Sequence, residues 1–206
     1  TDSEGYAVIA EDYGATVIMR PAAYAGDLSP DIEWVRPALG MLREMARDTA
    51  AFSILRPTSP FRQPETIRRA WAQFRDAREA DSLRAVEPCK QHPAKMWIVH
   101  GGAMHPFWQI ANKEDHPGHS VPYQALPPVW AQNASLEIAW TRTVWEQGSI
   151  AGERVVPFLT EGYEGFDINL PIEYDIACWL VETGRAQLPE VQHAIFESGQ
   201  KEARLE

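Results

Sequence analysis

Apolar side chains recur with two different spacings along the first ninety residues of the chain. Some segments place them three or four positions apart, as one face of a helix requires, and others are short apolar runs bounded by turns. The predicted helices span residues 4–13, 31–47 and 64–79, and the predicted strands span residues 16–19, 50–55 and 82–87. Helices and strands that alternate with short turns indicate an α/β fold with a sheet rich in parallel strands.

The middle of the chain has a different character. Residues 90–130 are rich in proline, histidine, glycine and tryptophan and show little helical periodicity, so we expect strands and long loops there. Regular patterns return afterwards, with strands expected at residues 134–139 and 154–160 and helices at residues 141–147, 170–182 and 187–206. A length of 206 residues with 45% hydrophobic content suits a single domain over residues 1–206.

The segment GFDINLPIEYDIA, residues 165–177, carries an acid and an amide two positions apart. In an extended chain, Asp167 and Asn169 would present their side chains on the same face. Because Pro171 and a helical pattern follow at once, Asn169 can act as a helix cap. The same two oxygen-bearing side chains can also hold a metal ion, and the spacing alone does not separate the two roles.

Two further turns carry groups suited to an anionic or hydroxylated ligand. The turn RPTSPFR, residues 56–62, is stiffened by two prolines and offers the guanidinium groups of Arg56 and Arg62 and the hydroxyl of Ser59. The segment HPAKMW, residues 92–97, offers Lys95. The alternative is that the hydroxyls stabilise the turn and that these cations are solvated. Four histidines between residues 100 and 119 do not have the tight spacing of a zinc site, so loop histidines are the favoured interpretation.

Composition narrows the classes of partner. A net charge of −10 and a pI of about 5.1 argue against binding to nucleic acid or to a membrane surface. No apolar run has the length needed to span a bilayer, and the start of the sequence does not resemble a signal peptide. Cys89 and Cys178 have neither CxxC nor metal-site spacing, so we expect reduced thiols and a cytoplasmic location. The phosphate-loop, dinucleotide and serine-hydrolase motifs are absent.

Six segments, in order along nearly the whole chain, resemble the N-acylneuraminate (CMP-sialic acid) cytidylyltransferases and their nonulosonate relatives. They are TDSEGYAVIAEDYGA, RPAAYAGDLSPDI, LRPTSPFRQPETI, HPAKMW, YQALPPVWAQNAS, and GSIAGERVVPFL followed by FDINLPIEYDIA. Each segment alone is a weak signal, whereas six in the family's order are specific.

The resemblance implies a Rossmann-like α/β nucleotidyltransferase sheet with a β-rich excursion. It implies transfer of CMP from CTP to an acidic sugar, with Mg²⁺ as cofactor. It further implies a homodimer in which the excursion, residues 96–140, reaches the partner subunit. The resemblance assigns residues of this sequence as follows: the nucleotide to Arg20 and Asp31; the sugar to Arg56, Ser59, Arg62, Lys95, Gln124 and Asn133; catalysis to Asp167; and the metal to Asp167 and Asn169.

Several positions depart from the family pattern. The family usually has glutamine at Arg56 and tyrosine at Glu137, and Tyr123 and Ala131 stand where arginines commonly hold the sugar acid. The family's N-terminal strand and basic phosphate-binding loop precede the first matching segment, so the sheet resembles an N-terminally truncated one. We therefore expect weak or no activity from these 206 residues alone. The alternative is a non-catalytic sugar- or nucleotide-binding scaffold with the same fold.

Overall fold

A computed structural model of the chain describes residues 1–26, 28–109 and 116–191. Its α-helices are α1 (Glu4–Asp12), α2 (Ile32–Glu44), α3 (Pro64–Asp76), α4 (Thr141–Glu146) and α5 (Pro171–Glu182). Its strands are β1 (Ala51–Ile54), β2 (Ser82–Pro88), β3 (Trp97–His100), β4 (Ala103–Pro106), β5 (Trp130–Trp140) and β6 (Val155–Leu159). Short 3₁₀ helices span Ala22–Tyr24, Pro93–Lys95, Gly118–Ser120 and Tyr123–Ala125.

Two of the predicted elements differ from the structure. The prediction of a strand at residues 16–19 is wrong. The backbone hydrogen bonds of this segment pair it with one residue, Thr1, which donates to the carbonyl of Ile18 and accepts from the amide of Arg20. One residue of pairing is too short to form a ladder. Of the helix expected at residues 187–206, residues 187–191 are irregular, and residues 192–206 lie outside the described part of the chain.

Four strands form the main sheet in the order β1-β5-β2-β6. Strand β5 is antiparallel to both β1 and β2, whereas β2 and β6 are parallel. Strands β1, β2 and β6 therefore run in the same direction, and β5 alone runs against them. The Rossmann-like α/β fold class is confirmed, with a mixed sheet rather than a fully parallel one. Because the carboxyl ends of β1, β2 and β6 meet at one edge, that edge is where a ligand site is expected.

A bulge interrupts the pairing of β2 with β5 near this edge. Arg84 pairs with Glu137 and Val86 with Gln132, so residues 133–136 of β5 lie opposite the single residue Ala85. A bulge of this kind bends its strand and re-aims the side chains next to it. Here it takes residues 133–136 out of the ladder, while residues 130–132 pair with the carboxyl end of β2.

Apolar side chains of the helices cover the sheet. In α3, Ala70 and Phe74 pack on Leu83 of β2, Leu136 of β5 and Phe158 of β6, all at most 1% exposed. A second cluster joins α2 to β1 and α4, and a third joins Phe61 to α5. Burial of large apolar side chains contributes about 1.5–3 kcal/mol each, which makes the α3 cluster the main anchor of the sheet.

The loop after β6 is fixed by one acid, Glu164. Its carboxylate accepts a hydrogen bond from Thr66 Oγ1 at 2.6 Å and from the amide of Glu161 at 2.8 Å, and it pairs with Arg69 at 2.5 Å. Burial raises the pKa of Glu164, but these hydrogen bonds and the charge of Arg69 outweigh it and hold the pKa below its ordinary value. The loop that leads to residue 167 is therefore tied to α3.

The hairpin of β3 and β4 forms a second sheet of its own, within the predicted excursion at residues 96–140. It presents apolar side chains to solvent, since Ile98, Val99 and Met104 are 54%, 69% and 56% exposed. Strand β5, which falls in the same predicted range, belongs instead to the main sheet. In the described ranges, no helix combines the length and apolar character that a bilayer crossing requires.

Candidate active site

Asp167 lies between β6 and α5, in a segment that is held from both sides. The amide of Ile168 donates to the carbonyl of Thr58 at 3.0 Å, and Asn169 Nδ2 donates to Asp167 Oδ2 at 2.7 Å. The other carboxylate oxygen, Oδ1, is buried and has no hydrogen-bond partner in the part of the chain that the structure describes. An unsatisfied buried carboxylate oxygen is costly, so it marks a position that can accept a cation or a hydrogen-bond donor.

The start of α5 is capped by a residue other than the predicted one. Glu173 Oε2 accepts the amides of Asn169 at 2.6 Å and Leu170 at 2.8 Å. The proposed capping role of Asn169 is therefore wrong, because its side chain donates to Asp167 instead. A glutamate in the first turn reaching back to two free amides serves the same purpose and suits the positive end of the helix dipole.

The turn of residues 56–62 supports the site from behind. Arg62 donates from Nη1 and Nη2 to the carbonyl of Arg56, at 3.1 Å each, and from Nη1 to the carbonyl of Ser135 in the β5 bulge. Burial lowers the pKa of the Arg62 guanidinium, which stays charged at neutral pH. The hydroxyl of Ser59 is buried. Arg62 and Ser59 thus build the wall of the site and do not line its cavity.

A cavity of about 490 Å³ opens at the carboxyl ends of the three parallel strands. Its lining contains six ionisable side chains, two positive and four negative: Arg56, Lys90, Glu87, Glu137, Asp167 and Glu173. The remaining lining residues are Gln132, Asn133, Ala134, Gly165, Phe166 and Asn169. The formal charge of the lining is −2, so an anion entering this cavity is favoured when a cation accompanies it.

The floor of the cavity is built around Gly165. Asn133 Oδ1 accepts the amide of Ser135 at 3.2 Å, and its Nδ2 donates to Thr160 Oγ1 at 3.0 Å. A Cβ atom at Gly165 would lie 2.6 Å from Glu87 Oε2 and 2.8 Å from Thr160 Oγ1. The close approach of these groups explains why the residue is a glycine. Two of the polar atoms of Asn133 are thus already used in holding the floor.

Arg56 lies in a network of alternating charges. Its guanidinium pairs with both carboxylate oxygens of Asp31, which also accepts Trp34 Nε1 at 2.8 Å. Arg56 Nη2 lies 3.5 Å from Glu137 Oε1, and Glu137 is paired on its other side with Arg84. Burial raises the pKa of Asp31, but the hydrogen bonds from Arg56 and Trp34 and the nearby positive charges outweigh it and lower the pKa.

Arg20 lies in a second cavity, of about 840 Å³, between the N-terminal segment, α2 and β1. Its Nη2 pairs with Asp2 Oδ1 at 3.2 Å, and its Nε is buried with no hydrogen-bond partner among the described residues. Arg56 lines this cavity as well as the first one. Of the predicted nucleotide residues, Arg20 therefore lines the same cavity as Arg56, and Asp31 pairs with Arg56; neither lines the cavity of Asp167.

Lys95 and Gln124 lie outside the lining of both cavities. Lys95 Nζ donates to the carbonyls of His119 at 3.2 Å and Val121 at 2.7 Å, and Gln124 is exposed on a short 3₁₀ helix. His92 of the same HPAK motif is buried, with Nε2 2.9 Å from the carbonyl of Pro127 and Nδ1 accepting the amide of Ala94. Both side chains of the motif thus tie the loops of residues 117–127 to the end of β2.

Four of the predicted site residues, Arg56, Asn133, Asp167 and Asn169, line one cavity. The structure adds Glu87, Lys90 and Gly165, which the sequence reasoning missed. Glu87 and Lys90 lie at and just after the carboxyl end of β2, which is next to the carboxyl end of β6. Knowing that β2 and β6 are parallel neighbours would have predicted that both residues lie at the site. The signal for Gly165 is its place in the sequence, because a glycine two residues before Asp167 can allow other groups to approach the backbone closely.

No group of three His, Cys, Asp or Glu side chains within residues 1–26, 28–109 and 116–191 is arranged to hold a metal ion. The interpretation of the histidines as loop residues is wrong for two of them, because His100 lies in β3 and His105 in β4. The lack of a three-residue group among the described residues does not conflict with a Mg²⁺ site at Asp167, because Mg²⁺ usually takes one or two carboxylates and completes its shell with waters and substrate phosphates.

The fold and the polar cavity at the carboxyl ends of its strands are those of a Rossmann-like nucleotidyltransferase. No family model matches the chain. The chain is 30% identical over 199 residues to a CMP-N,N'-diacetyllegionaminic acid synthase from Legionella pneumophila subsp. pneumophila, covering 91% of this chain and 78% of the relative. It is also 42% identical over 67 residues to an N-acylneuraminate cytidylyltransferase from Escherichia coli O18:K1:H7, covering 32% of this chain and 15% of that protein. The chain therefore belongs to the acylneuraminate and nonulosonate cytidylyltransferase family.

Proposed function

We propose that this chain forms a site that transfers CMP from CTP to an acidic sugar of the legionaminic or neuraminic type. The observation that carries the proposal is Asp167. Its buried oxygen lacks a partner among the described residues, and the cavity in front of it is the size of a small-molecule site. The names of the two relatives supply the sugar class, since both proteins are named for CMP transfer to acidic sugars.

Asp167 would hold Mg²⁺, and the Asn169 carbonyl oxygen would bind it directly or through a water. The donor set fits: one charged carboxylate and one neutral amide oxygen lie beside each other, in a lining with a formal charge of −2. When bound, the ion neutralises phosphate charge and aligns the reacting groups. Asn169 orients the Asp167 carboxylate through the hydrogen bond to Oδ2, which leaves Oδ1 aimed away from that contact.

The nucleotide would occupy the second cavity. Arg20 presents a partly buried guanidinium there whose Nε lacks a partner in the described part of the chain, and Arg56 forms the boundary with the sugar cavity. A guanidinium fork is suited to phosphate and to ring oxygen acceptors. Asp31 acts on this side through Arg56 and Trp34, whose positions it fixes.

A second copy of the chain would cover the hairpin of β3 and β4. Its apolar side chains, including Ile98, Val99 and Met104, form an exposed group of the kind that marks protein interfaces. The proposed homodimer is tested by sedimentation, with Val99→Lys expected to shift the chain to monomer. Both cysteines, Cys89 and Cys178, are free thiols, which fits the proposed cytoplasmic location.

The test is calorimetric titration of the chain with CTP in the presence and absence of Mg²⁺. Asp167→Ala should abolish the Mg²⁺-dependent part of the binding and leave the melting curve unchanged, because the residue lies in a connecting segment. Asp175→Ala is the matched control, since that aspartate is exposed on α5 and does not line the cavity. Unchanged Mg²⁺ affinity in Asp167→Ala would refute the assignment.

The second candidate is a non-catalytic sugar-binding scaffold. It is favoured by the fact that Arg62 and Lys95 spend their donors on backbone carbonyls. Sugar binding by the wild-type chain without any Mg²⁺-dependent binding of CTP would favour this candidate over the transferase.

A further inference from the structure

One guanidinium, that of Arg56, separates the two cavities of the candidate active site. It lines the cavity of about 490 Å³ that contains Asp167 and also the cavity of about 840 Å³ that contains Arg20. Its side chain is 36% exposed, so part of it faces the cavity space. A cation in this position is the obvious counter-ion for the carboxylate of an acidic sugar.

The surroundings of Arg56 argue against that simple role. Asp31 contacts Nη1 and Nη2 of Arg56, and Glu137 Oε1 lies 3.5 Å from Nη2. Glu137 is 9% exposed and is itself shared with Arg84, which is 11% exposed. Arg84, Glu137, Arg56 and Asp31 thus form a row of alternating signs with no net charge.

A neutralised guanidinium recognises ligands differently from a free one. An incoming carboxylate is attracted by Arg56 but repelled by Asp31 and Glu137 at nearly the same distance, so the electrostatic gain largely cancels. The hydrogen-bonding capacity does not cancel. A guanidinium has five N–H donors, and the contacts with Asp31 and Glu137 involve only Nη1 and Nη2.

We propose that Arg56 is a specificity-determining residue that donates hydrogen bonds to a neutral oxygen of the sugar, a hydroxyl or an acylamino carbonyl, and not to its carboxylate. Glu137 is the positioning residue that cancels the charge of Arg56 and fixes its direction. This inference rests on the proposed function, because it requires that an acidic sugar occupies the cavity. It predicts that the carboxylate is bound elsewhere in the site.

The test separates the charge of the ligand from the rest of its structure. Calorimetry of the full chain uses N,N'-diacetyllegionaminic acid, the sugar acid in the name of one relative, and its methyl ester, which lacks the charge. Arg56→Lys keeps the charge but removes the guanidinium donors, so it should weaken binding of both ligands by the same factor, about tenfold for the loss of a hydrogen bond. Arg68→Lys is the matched control, because that arginine is exposed on α3 and pairs only with Glu65 among the described residues.

The inference is overturned if Arg56→Lys weakens binding of the acid at least tenfold more than binding of the ester, since the guanidinium would then hold the carboxylate. It is equally overturned if neither ligand is affected. In both cases binding by the wild-type chain still supports the proposed function. If the wild-type chain binds neither ligand, the proposed function fails, and the role of Arg56 fails with it.

A second variant tests the cancellation itself. Glu137→Gln removes one negative charge beside Arg56 and should raise the preference for the acid over the ester by about tenfold. A purely structural role of Glu137 would lower the affinities for both ligands together and leave their ratio unchanged, which would overturn the assignment. Because Glu137 is buried, Asp31→Asn provides the same change of charge at a residue 22% exposed, and the same direction is expected.

Discussion

Replacing Gly165 by alanine would show how rigidly the floor of the sugar cavity is built. The added methyl group would lie 2.6 Å from Glu87 Oε2 and 2.8 Å from Thr160 Oγ1, and closer still to Asn133 Nδ2. Carbon and oxygen atoms without a covalent bond rarely approach closer than about 3.3 Å. The three neighbouring side chains must therefore move, or the backbone at residue 165 must.

The cost depends on which neighbours can yield. Glu87 can swing aside with little loss, because its partner Lys90 is 86% exposed. Asn133 and Thr160 cannot, because they are bonded to each other and to the backbone of β5 and β2. Breaking one such bond costs about 1 kcal/mol and overpacking about 1–3 kcal/mol more, so we expect a loss of about 2–4 kcal/mol. For a domain of this size, the melting temperature should fall by roughly 5–10 °C.

The assay combines thermal unfolding with titration of the sugar acid. Gly40→Ala is the matched control: Gly40 lies inside α2, and a Cβ atom added there would meet no described atom within 4 Å outside its own helix backbone and chain neighbours. Alanine there should leave stability unchanged or raise it by up to about 1 kcal/mol. If Gly165→Ala melts like the wild-type chain and binds sugar normally, the hydrogen bond between Asn133 and Thr160 does not set the shape of the floor.

Three further predictions concern the support of the site. Alanine at Gly152 should cost about 1–3 kcal/mol more in urea unfolding than alanine at Gly148: both have a left-handed φ, but only at residue 152 would the methyl group meet Asp81, with Cγ at 2.8 Å. Equal losses would contradict this. Lys95→Met should cost about 1–2 kcal/mol and speed proteolysis of the loop it holds, whereas weaker sugar binding with unchanged proteolysis would make Lys95 a ligand residue. Glu164→Gln should destabilise the chain at pH 7, because the folded state lowers the pKa of Glu164. The stability that this carboxylate contributes is present above its ordinary pKa of 4.5 and is lost as the pH falls through the pKa of the folded state. A loss that is the same at neutral pH and at a pH below the folded value would exclude this linkage.

Local sequence signals predicted the parts of the site that depend on short spacings. Because side chains two positions apart in an extended chain share a face, the spacing of Asp167 and Asn169 predicted that these two groups lie together. The residue that caps α5 could not be predicted from the sequence, because both Asn169 and Glu173 stand at positions from which they can cap the helix. Only the observed hydrogen bonds identify Glu173 as the cap. A short spacing therefore located the site but did not assign every role within it.

Contacts between distant residues could not be predicted in this way. Arg56 and Glu137 are 81 positions apart, and only the pairing of β1 with β5 brings them together. Lys95 shows a second limit, since its sequence context is the same whether its ammonium group binds a sugar or two loop carbonyls. Residue type gives the chemistry that a side chain can perform, whereas its partners decide which of those possibilities is used.

The bulge in β5 gives this fold a means of changing substrate without rebuilding its core. Pairing on either side of the bulge is fixed by Arg84 with Glu137 and by Val86 with Gln132. Gln132 and Ala134 line the cavity and are not buried, so their side chains can be exchanged while the strand order stays the same. Asn133, Ser135 and Leu136 hold the floor and the core and must be kept. Proteins with this sheet can diverge in the ligand they accept through two positions of one strand, and a directed library confined to Gln132 and Ala134 would sample that diversity at little risk to folding.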